Sequence, residues 1–485
     1  MAAEEIKNLT PQSVWGYFYE FTQIPRTTGH MEAIVAHVVS FGKKLGLETL
    51  VDEVGNVLIR KPASTGKENS RTVILQAHLD MVPQKNSGVE HDFLTDPIQT
   101  YILGEWVKAK DTTLGADNGI GAATIMAILE DNTLIHGPIE ALFTVDEEVG
   151  MVGAVNLKPG FLKGSIMINT DSEKDGELFV GCAGGADINV SFHYKDDYEI
   201  PEGDIAIKLS LTGLKGGHSG VDIHLGRANA NKLLIRFLKE AVMDYGARLA
   251  SINGGSLRNA IPREAFAIVT IPGDNVEAFW ELVADYQDVY REEYAGIESN
   301  LQFDAESVDL PAFLIPEEIQ DALINAVEGC QNGVISMLAD FPGTVETSSN
   351  LAVVKSEEGA IEIRFLVRSS SETRKLALCS SLESVFALAG AKVEYGNAYP
   401  GWQPNINSEL LKITSKAYED LFGIVPEVKV MHAGLECGII KAQYPDLDIV
   451  SVGPTLQYPH SPDEQLNIPS VANFYKMMIE VLKMI

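Results

Sequence analysis

Two hydrophobic rhythms run through the chain. Ile34, Val35, Val38, Val39 and Leu45 fall on one stripe at helical spacing within residues 30–47, and residues 11–22 carry the same spacing. Two amphipathic helices therefore open the chain. Short apolar runs bounded by turn residues follow at 56–60, 72–76, 139–145 and 165–169, which predicts strands buried on both faces. Between the second and third runs, residues 119–130 begin with small side chains and continue as a good helix former. Strand, helix, strand in that order predicts a crossover sheet.

Beyond about residue 186 the rhythm changes to alternation at 206–211 and 361–367, separated by helical stretches such as 228–245 and 276–295. From about residue 400 the buried pattern returns, with a helix at 407–422, a strand at 448–452 and a final helix at 469–484. The expected architecture is α/β. A discontinuous first domain, 1–186 and 400–485, holds a central mixed, mostly parallel sheet flanked by helices, and an α+β domain at 187–399 is inserted into it. Trp402 is expected to anchor the chain where it re-enters the first domain. No repeat period or low-complexity tract interrupts this order.

Composition narrows the partners. The chain has 485 residues, 45% hydrophobic and 22% charged, enough for more than one packed core. Its 37 basic against 68 acidic residues give a formal net charge of −31, a field that repels phosphate backbones and anionic lipid heads, so neither nucleic acid nor membrane is an expected partner. Cys182, Cys330, Cys379 and Cys437 are scattered with no C-x-x-C pair, which argues against a disulfide framework and against thiolate zinc. The N-terminus lacks the basic start and apolar run of a secretory signal, and no window reaches 18 apolar residues. A cytoplasmic protein is expected.

Candidate chemistry gathers where the apolar runs end: HLD at 78–80, DEE at 146–148, TDSE at 170–173 and PHSP at 459–462. Loops at the carboxyl ends of strands converge over the ligand crevice of open α/β sheets. His78, Asp80, Asp117, Glu147, Glu148, Asp171 and His460 offer imidazole and carboxylate without thiolate, a donor set suited to zinc, manganese or cobalt. So many carboxylates at one place need positive charge, and one or two divalent ions would supply it.

In order along the chain stand QAHLDMV at 76–82, LGADNG at 114–119, DEEVG at 146–150, NTDSE at 169–173, LKGGHSG at 214–220, HAGLECG at 432–438 and PHSP at 459–462. This ordered series resembles the M20 metallopeptidases, and within them the aminoacyl-histidine (Xaa-His) dipeptidases, over nearly the whole chain. The resemblance implies a binuclear centre, zinc first with cobalt or manganese as other candidates. His78 and Asp171 would hold one ion, Glu148 and His460 the other, and Asp117 would bridge them. Asp80 would orient the His78 ring rather than ligate, and the Asp117–Asn118 peptide bond would be cis. Two ions about 3.5–4 Å apart would make a bridging hydroxide and polarise the scissile carbonyl, with Glu147 as general base and then acid to the leaving amine.

The first domain would then be catalytic and the inserted one a lid and dimerisation domain. His218, in GGHSG, would stabilise the developing oxyanion, brought in relatives often from the partner subunit. Arg258, Arg263 and Arg368 are candidates for the substrate carboxylate, with Arg368 the one that resembles the family's arginine. Glu436 would either meet the substrate's amino group or brace its loop. The implied activity is hydrolysis of dipeptides, Xaa-His and broader, by a homodimer. The alternatives are an N-acyl amino acid deacylase or another M20 amidohydrolase, or a non-catalytic metal-binding protein.

Overall fold

The structure, a computed structural model, describes residues 2–197 and 199–485. Two compact units form: Met1–Gly181 with Trp402–Val430 and Leu435–Ile485, and Cys182–Gly401 with Met431–Gly434. The short second excursion at 431–434 interrupts the segment that the hydrophobic pattern assigns whole to the first domain. Four residues are too few to register as a change of rhythm.

Among the described residues, the first unit opens with α1 (Gln12–Gln23) and α2 (Glu32–Lys44). The strands β1 (Glu48–Val51), β2 (Val57–Lys61) and β3 (Val73–His78) follow, then α3 (Ala116–Glu130), β4 (Ile139–Thr144), β5 (Ile166–Asn169) and β6 (Glu177–Cys182). The returning chain adds α4 (Glu409–Phe422), β7 (Glu427–Met431), α5 (Glu436–Gln443), β8 (Asp448–Ser451) and α6 (Ile468–Met484). The sheet runs in the order β1-β2-β4-β3-β5-β8-β6-β7. Its centre is parallel, with β4, β5 and β8 joined side by side through β3 and β5. The flanking pairs β1–β2, β2–β4 and β8–β6 are antiparallel.

The physical reason for the parallel centre is visible in the residues. β3, β4 and β5 are buried at every position, as strands covered on both faces must be. α1 packs Trp15 and Phe18 against Ile120, Ala123 and Ala127 of α3, whose small residues allow close approach. β3 is flanked by β4 on one side and β5 on the other, so the chain leaves β3 in one direction and returns beyond it in the other. A crevice opens at the carboxyl ends of such strands.

A second, smaller sheet pairs Thr100–Leu103, Trp106–Ala109, Gln465–Asn467 and Leu456–Gln457. The last two form a hairpin whose loop carries His460, so the pairing of Leu466 with Val107 fixes that loop to the body of the unit.

The second unit is an antiparallel α+β fold. Gly184–His193 and Ala360–Ser369 lie beside each other in its nine-stranded sheet, with Val345–Glu357 next in order. The helices Ala230–Tyr245 and Val276–Glu293 bring Phe237 to within 5.7 Å of Phe279, 5.2 Å of Tyr286 and 4.8 Å of Phe303, ring centre to ring centre. Edge-on contacts of this kind add to area burial. The strand at 206–211 extends to Asp204–Thr212 and that at 361–367 to Ala360–Ser369.

The turn after β8 is pinned by Gly453, where a Cβ would overlap the backbone of Ser172, the residue after Asp171. Because backbone cannot yield as a flexible side chain does, Gly453→Ala should cost about 1–3 kcal/mol and displace the Asp171 turn. Chemical denaturation together with a crystal structure of the variant would show both effects, and an unchanged midpoint would contradict the packing.

Candidate metal centre

His78 is the last residue of β3 and is buried. Its Nε2 lies 3.0 Å from Asp117 Oδ1 and 3.2 Å from Asp171 Oδ1, and its Nδ1 lies 3.4 Å from Asp80 Oδ1. Asp171 follows the end of β5, the neighbour of β3, so strand pairing sets this contact. Asp117 stands at the start of α3, beside the Asp117–Asn118 bond, which is cis. Its second oxygen, Oδ2, lies 3.2 Å from His460 Nε2, which is also 2.9 Å from Glu148 Oε2. The residues brought together are thus His78, Asp117, Asp171, Glu148 and His460.

Asp80 makes a tighter frame than sequence alone indicates. Besides facing His78, its Oδ1 accepts the Glu147 N–H at 2.9 Å, and Oδ2 accepts the Glu148 N–H at 3.1 Å and the Thr28 hydroxyl at 2.8 Å. One buried carboxylate therefore fixes both the ring of His78 and the backbone that carries Glu147 and Glu148. Asp146 and His460 take positive φ, 51° and 59°. Backbone strain of this kind in non-glycine residues is tolerated where the surroundings over-determine the loop.

Charge sets the electrostatics. Burial pushes the Asp80 carboxyl up, but the His78 ring and the donated N–H and hydroxyl outweigh it and hold it at about 2. Burial likewise opposes, and the two histidines overcome, at Asp117, which stays below the usual carboxylate range. Asp171 is pushed up to about 7, chiefly by burial, and Glu147 well above its ordinary value by burial and by the nearby Asp171, Glu436 and Glu148 carboxylates. Hydrogen bonds to Asp117 and Glu148 raise His460 to about 11. His78 rises well above its ordinary value because Asp171, Asp117 and Asp80 outweigh its burial.

The residues fit divalent ions. Glu148 Oε1 is buried with no hydrogen-bond partner among the described residues, and His78, Asp117 and Glu148 each offer a ligand atom within 4.8 Å of the others. Nitrogen and oxygen donors at such density are the set that zinc, cobalt or manganese takes.

Comparison with known proteins decides the family. The family model for peptidase family M20/M25/M40 matches residues 74–484. The chain belongs to peptidase family M20. This M20 peptidase, a hydrolase acting on peptide bonds, is 47% identical over 479 residues to the cytosol non-specific dipeptidase of Escherichia coli (strain K12), covering 99% of each chain. It is also similar to the crystal structure of aminoacylhistidine dipeptidase from Vibrio alginolyticus, with a TM-score of 0.93, 46% identity and coverage of 99% of this chain and 98% of that one. Aminopeptidase PepT from Bacillus cereus, at TM-score 0.58 and 16% identity, shares the fold.

The remaining candidates of this M20 peptidase lie in the second unit. His218 Nδ1 accepts the N–H groups of Gly220 at 3.1 Å and Val221 at 3.2 Å, so the neutral ring carries its proton on Nε2. Burial and Arg368 lower its pKa, which favours that neutral form. Arg368 is buried, with Nε 3.4 Å from Ser219 Oγ and Nη1 donating to the Tyr399 hydroxyl at 3.1 Å. Arg258 is instead paired with Asp187, and Arg263 is largely exposed. Trp402 is buried.

Sequence reading left Glu436 between two roles and passed over the buried groups around it. Glu436 Oε2 accepts from Gln76 Nε2 at 2.6 Å and the Thr144 hydroxyl at 2.7 Å, while Asn169 Nδ2 donates to Gln76 Oε1 at 2.5 Å. Glu436 is thus committed as a brace across β3 and β4. Thr28, Arg26 and Glu464 are further examples. Their only signal in the sequence is a polar residue at the edge of an apolar segment.

The surrounding carboxylates favour the protonated form of both imidazoles in the metal-free protein, whereas a ligating imidazole is neutral. Ion binding should therefore release protons, and affinity should rise with pH while those rings titrate. Calorimetry of the metal-free chain in two buffers of different ionisation enthalpy measures the release; proton uptake would contradict this charge arrangement.

Proposed function

We propose that the protein is a dipeptidase working with two divalent ions, zinc first with cobalt or manganese as the other candidates, and that Xaa-His dipeptides are among its substrates. The observation that carries the reading is the split of Asp117: Oδ1 faces His78 and Oδ2 faces His460. Each histidine has a second carboxylate of its own, Asp171 or Glu148. Two half-sites sharing one carboxylate are the arrangement a pair of ions requires. The dipeptidase names of the two near-full-length relatives support the substrate class.

His78, Asp171 and Asp117 would hold one ion and His460, Glu148 and Asp117 the other. When bound, such ions supply Lewis acidity to the scissile carbonyl and to the attacking water. Glu147 takes the proton from that water and passes it to the leaving amine; burial and the surrounding carboxylates raise its pKa, which helps it hold the proton between the two steps. Asp80 holds the His78 ring and the Glu147–Glu148 backbone in place. His218 donates its Nε2 proton to the carbonyl oxygen as charge develops there. Arg368, buried but hydrogen bonded only to hydroxyl groups by its described bonds, binds the carboxylate terminus of the dipeptide.

The first unit serves as the catalytic domain and the second as lid and dimerisation domain. Val221, Leu225, Val334, Ile335 and Met337 are exposed on that second unit, where the strand Gly333–Met337 packs beside Ile223–Leu225. An apolar patch of this kind supports association of two copies. No helix of the described residues is long and apolar enough to cross a membrane. With a net charge of −31 and a cytosolic relative, the reading is a cytoplasmic enzyme that binds neither nucleic acid nor membrane.

Purified protein should contain two ions per chain by elemental analysis and release histidine from a panel of Xaa-His dipeptides. Turnover confined to N-acyl amino acids would overturn the dipeptidase reading. Glu147→Gln should lower kcat by about 10²–10⁴-fold with both ions retained, and wild-type turnover in that variant would remove Glu147 from the proton path.

A further inference from the structure

Arg26 and Glu464 are charged, 1% and 2% exposed, and take no part in the chemistry above. Arg26 Nη1 donates to the carbonyls of Leu79 at 2.9 Å and Asp80 at 3.1 Å, in the turn directly after His78, and Nη2 donates to the carbonyl of Gly115. Glu464 grips the same segment by its N–H groups. Its Oε2 accepts from Leu114 at 2.7 Å and Gly115 at 2.9 Å, and Oε1 from Ala116 at 2.8 Å and Asp117 at 3.4 Å. Glu464 stands four residues after His460 on the same hairpin loop.

The glycines of the LGADNG segment belong to this arrangement. A Cβ at Gly119 would stand 2.6 Å from Arg26 Nη2 and 3.3 Å from Phe18, and one at Gly115, where φ is +70°, would stand 2.5 Å from the same nitrogen. Both positions are empty so that the guanidinium can enter. Apolar side chains would fill this space without desolvating two charges. What only charged, directional groups provide is a fixed backbone position at three places together.

We propose that Arg26 and Glu464 are positioning residues that lock the loops of His78, Asp117 and His460 into one geometry, so that the two ions bind as a cooperative pair. Arg26 joins the His78 turn to the Asp117 segment, and Glu464 joins the Asp117 segment to the His460 loop. Asp117 is the residue both half-sites share, and its segment is the one held from both directions, by Arg26 at the Gly115 carbonyl and by Glu464 at the N–H groups. The inference rests on the metal-centre reading given under the proposed function.

The test uses the full-length chain stripped of metal and titrated with Zn²⁺ against a chromophoric chelator, as wild type, Glu464→Gln and Gly119→Ala. Wild type should bind two ions cooperatively; fewer than two would overturn the metal-centre reading and this inference with it. Each variant should lose about 10–100-fold in Zn²⁺ affinity, with reduced cooperativity and an altered absorption spectrum of the Co²⁺-loaded protein. Gln at 464 keeps one acceptor oxygen but turns an amide toward N–H donors, and Ala at 119 presses chiefly on the guanidinium, with Phe18 yielding a few tenths of an ångström, so it serves if the first variant does not fold. Folded variants with wild-type affinity and cobalt spectrum, or with a lowered melting temperature as the sole change, would overturn the positioning role while leaving the metal centre standing.

Discussion

At the carboxyl edge of β3 and β5, Asp80, Asp117, Glu147, Glu148, Asp171 and Glu436 cluster with two imidazoles, and the rest of the first unit is arranged around that density of negative charge. Carboxylates so placed repel one another and, without compensation, protonate or spread apart. They separate by what touches them. Asp80 accepts two backbone N–H groups and a hydroxyl, and Glu436 an amide and a hydroxyl. Neutral donors meet both oxygens of Asp80, which also faces the His78 ring, and one oxygen of Glu436. Asp117, Asp171 and Glu148 are left facing histidine nitrogens, so the demand for cationic charge concentrates on them.

The fold brings this about by topology rather than by local sequence. Because β3 has β4 on one side and β5 on the other, the segments leaving these strands arrive over one crevice from different directions. His78 and Asp171 come from adjacent parallel strands, so their approach follows from register. His460 arrives on a hairpin held to the strand Trp106–Ala109, and its positive φ shows that the loop is shaped by the site.

Much of this was legible beforehand, for identifiable reasons. Buried strands announce themselves as unbroken apolar runs, and the runs at 72–76, 139–145 and 165–169 appear as Val73–His78, Ile139–Thr144 and Ile166–Asn169. Helices with one wet face were equally plain. The helix Glu372–Leu388 gave no such signal, since its buried stripe begins with Lys375, whose ammonium reaches the Tyr399 carbonyl at 2.7 Å. The strand Gly184–His193 opens with two glycines that approach the 399–401 segment closely, so it lacks the side chains that would mark it. Asp80 reads as a partner of His78, but its hold on the Glu147 and Glu148 backbone joins residues 67 and 68 positions apart. The Glu464 contacts span 347–350 positions. Distances of that kind leave no periodic trace.

The pairing of Glu147 with Glu148 shows how one loop can supply two different functions. Their N–H groups bind opposite oxygens of the same Asp80 carboxylate, which fixes the backbone between them and leaves the side chains to diverge. Glu148 is committed to His460 at 2.9 Å. Among the described residues Glu147 has no cation at contact distance, and burial together with the surrounding acids favours its protonated form. The proposed division of work, a ligand in one case and a proton carrier in the other, rests on these different surroundings of two residues of identical chemistry. Exchanging the two would place the proton carrier against His460 and the ligand among its own kind, which is why an acidic pair here is not redundant.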